Sequence, residues 1–263
     1  MKLLNILKKI IYKNYFILRL KARVNNINNQ KLFLQFSGVS GFYLPYKSRF
    51  DIDWRQLVMV SRGLNNWLLE KYTTPRIQLE KSDIVIDCGA FVGGFSIAAA
   101  KFGIKKIYSI EPSLKNFDCL KSNIKHYNFE DIITPINIGL DVNPGRKKLN
   151  LSKSGCDDSF LEPDEGDLKS SEIVEVTTLK KLIDDYQINL NNLYLKVEAE
   201  GLEPEIILGL GNYLPRVITV DITPERDGKS PEEEIKNNLK KLGYEITTTK
   251  RCLFAHNNIN YNA

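Results

Sequence analysis

Residues 83–111 read DIVIDCGAFVGGFSIAAAKFGIKKIYSIE, and this stretch decides the fold. The apolar, β-branched run at 84–86 predicts a strand that is buried on both faces. Glycines follow it, and the alanine-rich segment 95–102 favours a packed helix that ends at a glycine. A second apolar run at 107–110 begins the next strand, which ends in Glu111. The stretch therefore predicts a strand, a glycine turn, a helix and a second strand.

The spacing of this unit suits a ligand that contains adenosine. A glycine turn lets a ligand approach the backbone, the helix after it offers free N–H groups, and Glu111 is placed for a ribose diol. A dinucleotide site requires G-x-G-x-x-G, because the second glycine makes room for a pyrophosphate. Phe91 stands at that position, so the pattern favours S-adenosylmethionine, with its carboxylate near the helix N-terminus and its ammonium near Asp87. The alternative is a plain βαβ unit whose glycines only serve packing.

Three blocks of the sequence resemble the FkbM family of S-adenosylmethionine-dependent O-methyltransferases. DCGAFVG at 87–93 is similar to the family's D-x-G-A-x-x-G motif, and EPSLKNFDCLKSN at 111–123 to its E-P-x-x-x-x-F-x-x-L-x-x-N block. LYLKVEAEGLE at 193–203 is similar to L-x-K-x-D-x-E-G-x-E, with Glu198 where the family has aspartate. The resemblance covers about residues 80–225.

The resemblance implies a class I methyltransferase fold, which is Rossmann-like, with helices on both faces of a seven-stranded, mostly parallel sheet. It implies S-adenosyl-L-methionine as the cofactor and a hydroxyl of a sugar, a glycan or a related natural product as the acceptor. No metal ligand is assigned. The cofactor-binding residues that follow from it are Asp87, Gly89, Ala90, Gly93, Glu111, Pro112 and Asn137.

The rest of the chain agrees with this fold class. From Asp83 onwards strand and helix patterns alternate, which indicates a parallel sheet covered on both faces. A polar excursion at 141–171, with a short hairpin, is expected to lie over the active-site end, where its acids form a solvated surface or contact substrate. The predicted strands are 84–88, 106–110, 132–138, 193–198, 217–222, 244–248 and 252–256.

The chain divides into a leader, 1–79, and a methyltransferase domain, 80–263. Residues 1–23 are compatible with a basic amphipathic helix, which either lies on an anionic membrane surface or docks on its own domain. The rest of the leader is predicted as an asparagine-rich turn at 25–30, a strand pair at 31–36 and 42–46, and a partly helical segment at 51–69 that contains Trp54 and Trp67, which we expect to be packing residues. This part is expected to form a lid or edge against the main domain.

Composition narrows the function classes. The chain of 263 residues carries a net charge of +5, of which the first 23 residues contribute seven positive charges, so the remainder is close to −2. The globular body is therefore not a basic nucleic-acid binder. Cysteines at 88, 119, 156 and 252 form no C-x-x-C pair, which excludes a zinc knuckle and favours the cytoplasm, with membrane contact at its inner face as the alternative. The oligomeric state is left open.

The chemical end is predicted around the strand that ends near Glu198. Methyl transfer to an alcohol requires a group that takes the hydroxyl proton, and a desolvated carboxylate with a raised pKa suits this role. Glu198 or Glu200 is the first choice, Asp221 the second, and Lys196 is expected to tune these acids or hold an anionic substrate group. Glu200 is expected in a turn, and Glu203 in the first turn of a helix. A divalent ion among the three acids is an alternative.

Two other functions remain open at this point. One is methylation of a nitrogen in protein or nucleic acid, a class that commonly carries [DN]-P-P-[YF] after the fourth strand, where this chain has EAEG at 198–201. The other is a non-catalytic partner subunit that binds the cofactor.

Overall fold

The computed structural model describes residues 22–28, 31–36, 41–45, 57, 60, 61, 63–152, 157–161, 168–226 and 228–257. The predicted leader helix, apart from its last two residues, lies outside this part of the chain, as do Trp54, Cys156 and the side chain of Trp67. Among the described helices, none has the length and apolar character needed to cross a membrane.

The described strands and helices follow one another along the whole chain. The strands are β1 (Ala22–Asn26), β2 (Lys31–Phe36), β3 (Gly41–Pro45), β4 (Ile84–Cys88), β5 (Lys106–Ile110), β6 (Ile133–Ile136), β7 (Gly139–Leu140), β8 (Gly145–Ser152), β9 (Leu168–Thr177), β10 (Leu193–Val197), β11 (Val217–Asp221), β12 (Glu245–Thr248) and β13 (Cys252–His256). The α-helices are α1 (Asn66–Leu69), α2 (Gly94–Phe102), α3 (Leu114–His126), α4 (Leu179–Asp185), α5 (Glu203–Leu208) and α6 (Glu232–Lys241), and 3-10 helices cover Glu70–Tyr72 and Leu190–Asn192.

A seven-stranded sheet forms the centre of the molecule, in the order β12-β13-β11-β10-β4-β5-β6. The strands from β11 to β6 run parallel, and β13 runs antiparallel to both of its neighbours. The prediction of a class I methyltransferase fold is confirmed. The strand order reverses between β4 and β10, and ligands of open parallel sheets bind beyond the carboxyl ends of the strands at such a point.

Side chains that alternate along the strands build a core on each face of the sheet. In β4, Val85 packs into the core on one face and Ile86 into the core on the other. Tyr194 and Leu195 divide in the same way in β10. Fully burying one aliphatic side chain of this size stabilises a protein by about 1.5–3 kcal/mol. These two cores explain why the buried strands were recognisable as apolar runs.

Several strand ends differ from the prediction by one or two residues. β6 covers 133–136 instead of 132–138, because Asn137 leaves the strand and its side-chain amide donates hydrogen bonds to the backbone oxygens of Glu111 (2.9 Å) and Pro112 (3.0 Å). β10 and β11 each end one residue earlier than predicted, and β12 begins one residue later.

The N-terminal sheet has three strands where the sequence predicted two. β2 and β3 match the predicted pair to within a residue, but β1 was expected as the end of a helix followed by a turn. That part of the prediction is wrong, because antiparallel pairing of Ala22–Asn26 with β2 provides the backbone with hydrogen-bond partners and overrides the turn preference of asparagine. The turn is confined to the next residues, where the amides of Ile27 and Asn28 both donate to Lys31 O at 3.1 Å.

This N-terminal sheet packs on α3 and continues the core on one face of the central sheet. Leu34 and Phe42 belong to the same buried cluster as Val85. Asn123, which is fully buried in α3, accepts a hydrogen bond from Tyr43 N (2.6 Å) and donates to the oxygens of Tyr43 (2.9 Å) and Val92 (2.8 Å). One side chain of the second family block thus ties the leader to the glycine turn. The predicted domain boundary at residue 79 stays a prediction.

The predicted excursion contains a long hairpin of β8 and β9, which forms a second small sheet with β7. Its connection returns to the hairpin at Ser159, whose backbone pairs with Asn150 through hydrogen bonds of 2.8 and 3.0 Å. This pairing brings residues 158–161 towards the carboxyl end of the central sheet.

Candidate active site

The turn between β4 and α2 is held in a conformation that glycine alone adopts easily. Gly89 has φ +71°, and a Cβ built there would lie 1.7 Å from the backbone oxygen of Glu198. This close approach shows that Gly89 lets the loop after β10 pass directly over the turn. Gly93 has φ +87° and precedes α2, and a Cβ there would meet the side chain of Leu120 at 2.6 Å.

Glu111 lies at the end of β5 and faces the same turn. Its Oε2 accepts a hydrogen bond from Phe91 N (2.8 Å) and its Oε1 accepts one from Ser113 N (2.9 Å), with Asn116 Nδ2 at 3.4 Å. Burial raises the pKa of Glu111 to about 8, although the hydrogen bonds from Ser113 and Phe91 act in the opposite direction. Phe91 itself has φ +50°, so the residue that replaces the second glycine is held by Glu111 in an unusual conformation.

A single cleft runs from Glu111 across the turn to the loop after β10. One end is polar and the walls are apolar, which is the usual make-up of a small-molecule site. Four of the predicted cofactor-binding residues line it: Gly89, Ala90, Glu111 and Pro112. The buried carboxylate of Glu111 beside a turn that has no side chain at residue 89 fits the ribose of an adenosine ligand.

Asp87, Gly93 and Asn137 were predicted at the cofactor but do not line this cleft. Asp87 is fully buried: its Oδ1 lies 2.9 Å from Lys196 Nζ, and its Oδ2 accepts a hydrogen bond from Ser96 Oγ at 2.6 Å. Direct binding of an ammonium by Asp87 would require that side chain to leave both partners. Gly93 shapes the start of α2, and Asn137 bonds to backbone oxygens.

The pairing of Asp87 with Lys196 follows from strand register. The two residues are direct partners in the parallel pair β4–β10. A lysine inside a buried strand requires a counter-charge, and Asp87 is the acid at the facing position. The sequence therefore contained the signal for this ion pair, although the two residues were assigned separate roles.

Glu198 lies just after β10 and is surrounded by donors. Its Oε1 accepts a hydrogen bond from Lys71 Nζ at 2.5 Å, its Oε2 accepts one from Tyr72 Oη, and Lys196 Nζ lies 3.4 Å from Oε2. Burial alone would raise the pKa of Glu198, but the charges of Lys71 and Lys196 and these hydrogen bonds hold it well below its usual range. The prediction that Glu198 has the raised pKa of a general base is therefore wrong, because its counter-charges were not foreseen.

Glu200 has the opposite environment. Burial raises its pKa well above the usual range, and the nearby carboxylates of Glu225, Glu198 and Asp157 add to this effect. Its backbone lies in the left-handed region at φ +49°, and its backbone oxygen accepts a hydrogen bond from Ser159 Oγ at 2.8 Å. Glu200 lines the cleft and forms the predicted turn into α5, so it keeps the features expected of a proton acceptor.

Asp221, the second-choice base, does not line the cleft. It lies 2.8 Å from Lys71 Nζ and accepts hydrogen bonds from Thr223, at 2.9 Å from the backbone N and 2.6 Å from Oγ1. Lys71 thus occupies the position between Glu198 and Asp221 where a divalent ion was the alternative. Within the described ranges, no three or more acids, histidines or cysteines are arranged to hold a metal ion.

The sequence did not predict the parts of the site that come from other segments. Lys71 and Tyr72 lie in the short 3-10 helix before β4, and Tyr194 Oη donates a hydrogen bond to Tyr72 O from within the sheet. From the hairpin connection, Asp158 and Phe160 line the cleft near Glu111. Because these contacts join distant parts of the chain, local patterns did not reveal them.

Comparison with known proteins agrees with the fold and with the class of enzyme. Residues 44–148 match the family described as the TRM5/TYW2 methyltransferase domain. This range is less than half of the chain, but it includes the glycine turn and Glu111. A domain of this kind takes S-adenosylmethionine as its cofactor, as the sequence predicts. No curated protein matches the sequence.

Solved structures that resemble this chain do so at low identity. The methyltransferase FkbM from Methylobacillus flagellatus KT is 17% identical over 80% of this chain, with a TM-score of 0.47, and this chain spans 56% of its length. TYW2 from M. jannaschii, solved in complex with AdoMet, is 15% identical over 89% of this chain and 88% of its own, with a TM-score of 0.44. Magnesium protoporphyrin IX methyltransferase (ChlM) from Synechocystis PCC 6803, solved with bound SAM, is 15% identical over 78% of this chain and 84% of its own, with a TM-score of 0.44.

Proposed function

We propose that this protein is an FkbM-like O-methyltransferase that transfers the methyl group of S-adenosylmethionine to a hydroxyl of a sugar, a glycan or a related natural product. The observation that carries the proposal is the contrast between Glu198 and Glu200. The pKa of Glu198 is held below the usual range, mainly by Lys71 and Lys196, whereas burial and neighbouring acids raise that of Glu200. Two nearby carboxylates whose pKa values are driven apart are a recognised sign of divided acid–base roles.

In this proposal, each residue has one task. When bound, the cofactor supplies an electrophilic methyl group on a cationic sulfur. Glu111 binds the ribose hydroxyls, Glu200 takes the proton from the acceptor hydroxyl, and Glu198 stays ionised and offers a fixed negative charge to cationic or hydroxyl groups. Lys71 and Lys196 hold Glu198 in place, since each lies within 3.4 Å of its carboxylate.

The acidic surroundings of Glu200 favour this acceptor over a polyanion. Glu225, Glu203 and Asp157 surround it and all raise its pKa or that of its neighbours. A phosphate backbone is repelled by such a cluster, because nucleic-acid binding depends on cationic contacts. The match to the TRM5/TYW2 domain favours the second candidate, methylation of nucleic acid or protein, so the test has to distinguish the two.

The test uses S-adenosylmethionine with a labelled methyl group, the purified protein and a cell extract divided into glycan-plus-lipid, RNA and protein fractions. The proposal predicts label in the glycan-plus-lipid fraction and a corresponding one-methylene mass difference in cells that lack the protein. Glu111→Ala serves as the control without cofactor binding. Label confined to RNA or protein would replace the proposal by the second candidate, and cofactor binding without transfer to any fraction would favour a partner subunit.

The proposed location is the cytoplasm, with contact between residues 1–23 and the inner face of the membrane as the open alternative. The leader carries seven positive charges and no acid in that range. Sedimentation with anionic vesicles distinguishes the two cases: the membrane alternative requires the full chain to sediment and a chain that starts at residue 24 to stay in solution.

A further inference from the structure

Asp158 brings a second carboxylate to the end of the cleft where Glu111 lies. It belongs to the connection between β8 and β9, outside the family match, and lines the cleft together with Phe160. Its side chain is 3% exposed, so its charge is held away from bulk water. A buried carboxylate costs free energy unless donors satisfy it, and this raises the question of what its partners are.

One oxygen of Asp158 is held by the protein. Its Oδ1 accepts hydrogen bonds from Ser152 N (2.7 Å), Ser152 Oγ (3.1 Å) and Lys115 Nζ (3.0 Å). These donors come from the end of β8 and from the first turn of α3, so they fix both the position and the orientation of the carboxylate.

The other oxygen points towards Glu111. Asn116 Nδ2 lies 3.4 Å from Asp158 Oδ2 and 3.4 Å from Glu111 Oε1, so one amide group stands between the two acids. Both distances are at the long limit for a hydrogen bond. Among the described residues this is the contact that Oδ2 makes, which leaves it able to accept a shorter hydrogen bond from a ligand.

Two carboxylates so close together suit a ligand with two kinds of donor. Both acids lie 3.4 Å from the same nitrogen, and the charge of Asp158 adds to the effect of burial on the pKa of Glu111. Adenosine has hydrogen-bond donors at its ribose hydroxyls and at its 6-amino group. If Glu111 binds the ribose, the 6-amino group is the donor that remains for Asp158.

The walls next to Asp158 suit a flat aromatic base. Ile138, Leu140, Leu149 and Phe160 line this part of the cleft. A Cβ at Gly139 would lie 2.6 Å from the ring of Phe160, so the glycine makes room for that ring. Aromatic and aliphatic side chains around a planar base are a common means of binding it.

We propose that Asp158 determines the base specificity of the cofactor site by accepting a hydrogen bond from the 6-amino group of adenine. This rests on the proposed function, because it requires S-adenosylmethionine as the ligand. The hairpin then supplies the part of the site that distinguishes adenine from a base with a 6-oxo group, which would place an acceptor against the carboxylate.

The test compares the binding of S-adenosyl-L-homocysteine with that of S-inosyl-L-homocysteine, by calorimetry at pH 8, in the full chain and in Asp158→Asn. The substitution keeps an oxygen for Ser152 and Lys115 and replaces Oδ2 by an amide that donates to a 6-oxo group. The unaltered chain is expected to prefer the adenine ligand by about 10- to 100-fold, the usual effect of one hydrogen bond to a charged group. Asp158→Asn should lose or reverse this preference.

Ser152→Ala is the matched control, because it removes a contact to Oδ1 and leaves Oδ2 unchanged; it should keep the preference. An unchanged preference in Asp158→Asn would overturn the proposal. If that variant does not fold, the unaltered chain still tests it with the N6,N6-dimethyl analogue, which has no donor at this position and should bind at least tenfold more weakly; equal binding overturns the proposal. Failure of the unaltered chain to bind any of these ligands would overturn the cofactor assignment itself, whereas absence of methyl transfer alone would not affect this test.

Discussion

The ammonium of Lys71 lies 2.5 Å from Oε1 of Glu198, although 127 positions separate the two residues in the chain. Lys71 also lies 2.8 Å from Asp221, so one side chain from the leader joins the ends of two neighbouring strands. The Lys71 side chain is 16% exposed, and this limited exposure makes the contact with Glu198 stronger than a surface ion pair. The leader therefore contributes directly to the charge of the candidate active site.

Replacing Lys71 by methionine should destabilise the fold, because it leaves Glu198 and Asp221 without their shared counter-charge. We expect a loss of about 2 to 3 kcal/mol at pH 7 in urea unfolding. The low pKa of Glu198 stabilises the folded chain above the unfolded pKa of glutamate and loses this contribution as the pH falls, so the difference between the two chains should shrink towards pH 3. Lys71→Arg should retain most of the stability, and the exposed Lys240→Met should change little. An equal effect of the Lys71 and Lys240 substitutions would contradict this role.

Replacing Gly89 by alanine should abolish cofactor binding and destabilise the fold by several kcal/mol. The new Cβ would lie 1.7 Å from Glu198 O, so the turn and the loop after β10 have to separate. Gly243→Ala is the matched control: it has a similar φ of +86° with no atom within 4 Å of the added Cβ, and should cost only about 1 kcal/mol. Thermal unfolding and calorimetry measure the two effects. Similar losses in both variants would mean that backbone conformation alone, and not the close approach, explains Gly89.

Much of the fold and of the cofactor end of the site could be predicted from the sequence, because both depend on local patterns. The runs that became β4 and β5 are apolar and β-branched, and Glu111 follows directly from the position where β5 ends. β1 was missed because pairing with β2, a tertiary effect, decides its structure. The charge state of Glu198 was missed for a similar reason: Lys71 and Tyr72 reach it from a different segment.

The affinity for S-adenosylmethionine should rise with pH up to about 8. The pKa of Glu111 is raised to about 8 in the free protein, and hydrogen bonds from the ribose favour its ionised form. Below pH 8, binding must therefore release a proton, and affinity should fall by at most about tenfold per pH unit. Calorimetry in buffers with different ionisation enthalpies measures both quantities. Glu111→Gln should bind about 10- to 100-fold more weakly and show a flat profile; an unchanged profile would exclude Glu111 as the titrating group.

Replacing Glu200 by glutamine should leave cofactor affinity unchanged and abolish methyl transfer. Glutamine has nearly the same shape but cannot take a proton, so the loss should be at least about 100-fold if Glu200 is the general base. Transfer of labelled methyl groups into the extract fraction that serves as acceptor measures it, with the exposed Glu233→Gln as control. Normal transfer by Glu200→Gln would move the base to another residue.

The central claim is that the turn at Phe91, facing Glu111, takes S-adenosylmethionine and has no room for the diphosphate of a dinucleotide. Calorimetric titration of the unaltered chain at pH 8 with S-adenosylmethionine and, separately, with NAD tests it most directly. The account predicts saturable, one-to-one binding of S-adenosylmethionine that Glu111→Ala weakens, and no heat of binding for NAD. Saturable binding of NAD without binding of S-adenosylmethionine would contradict it.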